Sequence, residues 1–317
     1  MRTRLPHRPI AVATVAVFGA VALAGCGGSP STDAQADDRQ EVAQAMPLPD
    51  AKLRATWPKQ EVTSGLAAGM KLPLEDYMIG YPDMVDVENA KDVVKQACMN
   101  RLGFSYTPEP MGSEPAPAYN EINMKRRYGL TDRAEAAENG FTPPQAMQQN
   151  AQDDEAEVAR QDKESSAEGW DEAMSGTCVP EANKEVGVLF ETDLAGELAS
   201  ASLEATPARP AVSGAITAWE SCMKTRGHSV KTPDEASKRF GTRALPGLTP
   251  GKEEVALATD DVDCKETSHL VAAWHEEESD YQTEQIASHK KDLEAEKARN
   301  TAMVKRARAV LADAAGK

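Results

Sequence analysis

Aromatic residues are scarce in this chain: four Trp, six Tyr and five Phe amount to 5% of 317 residues. A core with so few rings has to be built from Ala, Val, Leu and Met, which suits helices better than sheets. Basic residues are also few, 35 Lys and Arg against 51 Asp and Glu, for a net charge of −16. That balance excludes nucleic acid as a partner, because phosphate binding needs a basic patch. The same sign keeps the body of the protein from lying flat on anionic lipid over a Debye length of roughly 8 to 10 Å. Cysteine is limited to five residues with no Cys-x-x-Cys element, which disfavours a zinc site.

The amino terminus has a different character. Arg2, Arg4 and Arg8 precede an apolar run from Ile10 to Leu23, and the small residues Ala24 and Gly25 lead to Cys26. These are the charged, apolar and cleavage regions of a secretory signal. The run of about 14 residues is shorter than the roughly 20 that cross a bilayer, and no basic stop-transfer segment follows. Leu23-Ala24-Gly25-Cys26 resembles the lipobox of bacterial lipoproteins. The resemblance implies cleavage before Cys26, acylation of its sulfur and anchoring at the outer face of the cytoplasmic membrane. Two or three acyl chains hold firmly, since each buried methylene contributes about 0.8 kcal/mol.

Residues 26–55 read as a lipidated flexible linker, with Gly27, Gly28, Ser29, Pro30, Asp33, Asp37, Asp38 and Glu41 and few large apolar groups. A tether of about 24 residues would reach roughly 25–30 Å. The rest is long enough for two units, and an internal repeat defines them. Cys98-Met99 with Gly103, Ser105, Thr107 and Pro108 matches Cys222-Met223 with Gly227, Ser229, Thr232 and Pro233, and Arg127-Tyr128-Gly129 answers Arg239-Phe240-Gly241. The first unit is placed at 56–205 and the second at 206–317.

Each unit opens on a helical pattern. Val87, Ala90, Val94, Ala97 and Cys98 recur every three or four residues before Gly103, and Val212, Ile216, Trp219, Cys222 and Met223 do so before Gly227. Four cysteines in an oxidising compartment allow three pairings. The duplication selects Cys98 with Cys178 and Cys222 with Cys264, since each unit is then closed on itself. Loops of about 80 and 42 residues closed in this way would be stabilised by roughly 4 kcal/mol each in the chain-entropy treatment.

The stretch from Thr142 to Gly169, rich in Gln, Asp and Glu, reads as a surface loop or solvated helix. Lys252 to Ala315 contains neither Pro nor Gly and predicts one or two long helices. Leu270, Trp274, Tyr281, Ile286 and Leu293 form a sparse apolar stripe that packs on the second unit, while the end projects. Lys305, Arg306 and Arg308 near the end complement the helix dipole.

The usual catalytic and cofactor patterns are missing. Of five histidines, His7 lies in the signal, and His269 and His275 are six apart rather than the four that share a helical face. His228 takes the place of Phe104 in the repeat and reads as a contact just after the helix. Asp260, Asp261 and Asp263 lack the Gly and Glu of an EF-hand and are placed at or before the first turns of a helix, where the dipole favours acids. Gly247 to Glu253 falls short of a phosphate loop, with Glu253 where Ser or Thr is required. Lys125, Arg126 and Arg127 form the densest basic cluster before the C-terminus, read as a charge-balanced face or a docking site for an anionic wall polymer. No catalytic residue, metal ligand or cofactor is nominated.

Leu72 to Tyr77, Cys98-Met99 with Gly103-Phe104, Arg127-Tyr128-Gly129 with Asp132, and Asp263-Cys264-Lys265 with Leu270-Val271, Trp274 and Tyr281-Gln282 together resemble a family of actinobacterial secreted lipoproteins without an assigned activity. The resemblance spans most of residues 70–295 and implies secretion, lipidation and paired cysteines. The predicted protein is mostly α, two related disulfide-closed helical units with a long C-terminal helical segment. Its expected role is that of an extracytoplasmic binding or interaction protein for an envelope protein or wall polymer, with a carboxylate-dependent hydrolase of envelope material as the alternative.

Overall fold

A computed structural model describes residues 46–114, 116–143, 155–191, 193–240 and 249–315. Cys26 and the signal therefore lie outside the described residues, as do Gly247 and Leu248 of the Gly247–Glu253 segment. Among the described residues every regular element is helical. In chain order they are α1 (Ala51–Arg54), α2 (Tyr81–Arg101), α3 (Arg133–Asn139), α4 (Glu155–Ser165), α5 (Trp170–Ala173), α6 (Val179–Glu185), α7 (Leu194–Ala205), α8 (Pro210–Thr225), α9 (Pro233–Lys238), α10 (Lys252–Thr267) and α11 (Leu270–Ala314). Of the stretch read as a surface loop or solvated helix, the part from Glu155 is α4.

Helix α2 is buried nearly all round, and its composition explains how. Val85, Val93, Val94, Ala97 and Cys98 supply apolar contacts, while Asp86, Asn89, Asp92 and Gln96 recur on a second stripe three or four residues apart and are also buried. Asp86 is met by Arg54 and Arg308, and the loop that follows bonds Asn89, Asp92 and Gln96. Asn89 exchanges two hydrogen bonds with the backbone of Met111 (2.8 and 3.0 Å), Asp92 accepts from the Tyr106 hydroxyl (3.0 Å), and Gln96 donates to the Tyr106 carbonyl (2.7 Å). An otherwise irregular loop is thereby held against a helix, because leaving these groups unpaired would cost about 1–3 kcal/mol each.

The repeat survives as geometry. Helix α2 ends where Gly103 takes φ +84, with Gly103 N–H donating to Asn100 and Phe104 N–H to Met99. Helix α8 ends in the same way at Gly227, φ +88, with Gly227 N–H on Lys224 and His228 N–H on Met223. Both are the paired 6→1 and 5→2 closure that a left-handed glycine permits. The disulfides are Cys98–Cys178, with Cα atoms 5.5 Å apart, and Cys222–Cys264, at 5.6 Å. The first joins α2 to the π turn Met174–Cys178 just before α6, the second joins α8 to α10.

The C-terminal helix corrects one expectation. The end of α11 does not project: Met303, Val304, Ala307, Val310 and Ala314 are buried against Val87, Ala90, Val93, Val94 and Ala97 of α2, with Ala182 and Val186 beside them. The spacing 303, 307, 310, 314 is a continuous seam, so the apolar stripe runs on past Leu293. At His289 the backbone leaves helical geometry (φ −113, ψ 15); α11 packs on α7, α8 and α2, with Met303 to Ala314 against α2 and Leu293 and Glu296 still against α7. The basic residues near the end are likewise not dipole partners. Arg308 reaches Asp83 and Asp86, and Arg306 donates to the Val186 carbonyl (2.9 Å). Truncating Val310 to alanine is expected to cost about 2 kcal/mol of unfolding free energy, measured by urea denaturation; a projecting helix end would give no change.

The linker is also shorter than read from sequence. Met46 is 1% exposed within the α2–α11 core, Leu48 packs beside it, and Asp50 caps α1 by accepting from Leu53 N–H (2.8 Å). Met46 and Leu48 are large apolar groups in an otherwise acidic segment, and burying them draws the chain into the fold from that point. Contacts also cross residue 205. Leu130, Ala136 and Phe141 pack with Trp219, Leu257 and Val262, and the Tyr128 ring lies 5.4 Å from that of Trp274.

Candidate functional site

A cleft of about 480 Å³ opens between residues 55–64 and residues 116–125. Its position follows from local structure. The Trp57 indole is buried and donates to the Gly112 carbonyl (3.0 Å), with Tyr81 edge-on at 5.3 Å, which pins one wall. On the other wall Tyr119 accepts from Tyr81 N–H through its carbonyl (2.7 Å), and Asn120 donates to Glu75 (2.9 Å). Glu75, 5% exposed, also accepts from Leu72 N–H (2.9 Å), so its carboxylate is committed to holding the floor. Ser64 hydrogen-bonds Asp132, the N-cap of α3; that bond first, and then the Glu135 and Ala134 N–H groups, hold the Asp132 carboxyl below the usual range against the opposing effect of burial. Partial burial, followed by the nearby Asp83 and Glu75, raises the Tyr119 hydroxyl, leaving a neutral donor in the wall.

The cleft presents the hydroxyls and amides of Thr56, Thr63, Ser64, Tyr119, Asn120 and Asn123 among apolar groups such as Trp57, Val62, Pro117 and Met124, with Lys59, Lys125, Glu61 and Glu75 also in its lining. Such groups orient an uncharged polar ligand and supply no acid and base pair.

A carboxylate pair exists elsewhere. Glu121 and Asp193 meet at the N-terminus of α7, beside the buried Glu296, and the space between them and Met78, Ile79, Phe190 and Asn300 is about 20 Å³. That is room for about one water molecule and none for a substrate. Partial burial first, then Asp193 and Glu296, raise the Glu121 carboxyl above its ordinary range. Burial first, then Glu296 and Glu197, raise Asp193, opposed by the Gly196 N–H and the hydrogen bond shared with Glu121.

Two further polar centres are wholly internal. Glu278, fully buried on α11, accepts from Arg127 Nε (3.2 Å), the Tyr128 hydroxyl (2.9 Å) and Ser202 (2.7 Å). Gln282, one turn on, donates to Ser202 (2.9 Å) and accepts from Leu74 N–H (3.0 Å). Burial, and then the Glu278 carboxylate, push the Tyr128 hydroxyl far above its ordinary value. In the second centre Lys265 donates to Asp261 (2.8 Å) and to the Leu130 carbonyl (2.8 Å), with the Trp219 indole on Asp261 (3.0 Å).

The residues singled out from sequence therefore fall in several places. Lys125 and Arg126 share Glu135, whereas Arg127 is turned inward to Glu278, so these three residues do not form one continuous basic face. Asp260, Asp261 and Asp263 are not at the start of a helix but in the middle of α10, where side chains rather than the dipole satisfy them. Asp260 meets Arg226 and His228 (2.7 Å), and Asp263 meets Arg133 and Arg226. His228 is thus a hydrogen-bond partner of Asp260 rather than only a contact after the helix. His275 faces the Lys71 carbonyl (3.0 Å) and His269 occupies a left-handed turn (φ 54), well apart in role. Among the described residues no group of three His, Cys, Asp or Glu is disposed to hold a metal ion, and no helix is long and apolar enough to cross a membrane.

Sequence reading assigned Glu278, Gln282, Glu121 and Asp193 no structural or chemical role, although Gln282 is among the residues that carry the family resemblance. The first two carried a signal: with Val271 and Trp274 they follow the helical spacing of a buried stripe. No protein-family model, curated protein or solved structure matches the chain.

Proposed function

We propose that the protein is an extracytoplasmic lipoprotein, anchored through Cys26, that binds an envelope ligand in the cleft between residues 55–64 and 116–125. The observation that carries this reading is a separation: a cleft of about 480 Å³ holds hydroxyls and amides in its lining, while the Glu121–Asp193 carboxyl pair, both pKa values raised, has room for a water molecule only. Two disulfides support an oxidising compartment, as the lipobox implies. The acidic surface and the balanced lysines and glutamates of the cleft favour an uncharged, hydroxyl-rich wall glycan over an anionic polymer.

The test is binding of the mature chain, carrying Cys26→Ser for solubility, to purified wall glycan. Thr63→Trp, an exposed substitution that fills the cleft, should weaken binding at least tenfold, about 1.4 kcal/mol. Equal binding by both proteins would remove the cleft from the proposal. The hydrolase alternative, with Glu121 and Asp193 as its carboxyl pair, would show itself as soluble fragments accumulating with time and lost in Glu121→Gln.

A further inference from the structure

The loop 116–125 has two faces. One lines the cleft through Tyr119, Asn120 and Asn123. The other carries Glu121 to the start of α7, where the hydrogen-bond donors are already taken. Leu194 and Ala195 N–H donate to Glu296 (2.9 and 3.2 Å), Gly196 N–H to the Asp193 carboxylate (3.2 Å) and Glu197 N–H to the Asp193 carbonyl (2.9 Å). A Cβ on Gly196 would collide with both Asp193 Oδ2 and Glu121 Oε2, so glycine stands where the two carboxyls converge. The side-chain hydrogen bond of Glu121 is to Asp193. Two carboxyls form a hydrogen bond only when one of them keeps a proton.

We propose that this shared proton is a latch on the cleft wall: with it, Glu121 ties the loop 116–125 to α7, and without it the two like charges drive the wall outward and loosen the cleft. The charges acting most strongly on the pair are negative, Glu296 on α11 and Glu197 on α7. Lys297, next to Glu296 in sequence, is turned away onto the Tyr77 ring at 5.2 Å. Met78, Ile79 and Phe190 close the remaining side with apolar groups. Both carboxyls are raised, so the latch is fully engaged below the ordinary carboxylate range near ~4 and is lost as pH rises through the elevated values.

The consequence for ligand entry rests on the cleft reading above; the latch itself does not. Amide exchange of Asn123 and Arg126, which donate within the loop to Asn120 and Asn123, reads the wall directly. With rates normalised to an unstructured chain at each pH, wild-type protection should fall about fivefold or more between pH ~4 and ~8. Glu121→Gln, whose amide donates to Asp193 at every pH, should remain high and flat, and Glu121→Ala low and flat. Glu121 is solvent-exposed, so both variants keep the core. A flat wild-type profile, or a Glu121→Gln profile that falls with it, would overturn the latch. No ligand enters this measurement, so failure of glycan binding and failure of the latch are separate results.

Discussion

Replacing Glu278 with alanine is expected to lower the unfolding free energy by about 3–5 kcal/mol, read as a drop in the urea midpoint at unchanged slope. The size follows from what is left behind. Arg127, with its side chain 6% exposed, would keep its charge with only the Ala199 carbonyl and Ser202 to meet it, and the Tyr128 hydroxyl would lose its acceptor. The loss would also spread, since Ser202 connects Glu278 to Gln282 and Gln282 holds Leu74 at the other end of the network. Exchanging the pair for apolar residues in Arg127→Met with Glu278→Leu should recover part of the stability, because no buried charge is then orphaned. Recovery would be incomplete, as Tyr128 and Ser202 still need partners. Additive effects in this double-mutant cycle would contradict a coupled centre.

Removal of either disulfide is expected to cost about 4 kcal/mol, because closure entropy varies only with the logarithm of loop length and the separations of 80 and 42 residues differ little on that scale. The two losses should nevertheless look different. Cys98 and Cys178 sit in a small cluster with Met99, Phe104, Tyr106 and Trp170, where the other ties are the Arg101–Glu181 ion pair (2.8 Å) and the Trp170 indole on the Ser105 carbonyl (3.0 Å). Cys98→Ala with Cys178→Ala should therefore free α5 and its neighbourhood locally, seen as early amide exchange there. Cys264 lies in a larger core with Trp219, Met223 and Leu257, so Cys222→Ala with Cys264→Ala should lower global stability with less local opening. Alkylation of the unfolded native protein without reductant should label none of the four cysteines, and labelling of any of them would contradict the pairing.

Much of this architecture was legible beforehand because it is written in short-range periodicity. The helical spacing before Gly103 and Gly227 located α2 and α8, and the duplicated Cys-Met-x-x-x-Gly signalled that both would close on the same left-handed glycine. The absence of Pro and Gly after Lys252 located α10 and α11. The seam from Met303 to Ala314 was equally periodic, and its burial shows that the stripe had been followed too short a distance along the helix. Glu278 was hidden for a different reason: a glutamate among Glu276 and Glu277 looks solvated until a distant Arg127 is found to neutralise it.

Composition and local pattern by themselves determined the helical class, the duplicated units and their disulfide pairing, because helix propensity, glycine stops and repeat spacing act over a few residues and need no knowledge of neighbours. Only the tertiary structure decided which carboxylates share a proton, which are buried against a cation, and which cleft is left open. Those properties depend on distance and desolvation between segments as far apart as Arg127 and Glu278, separated by 151 positions in the chain, and a linear order of residues carries neither quantity.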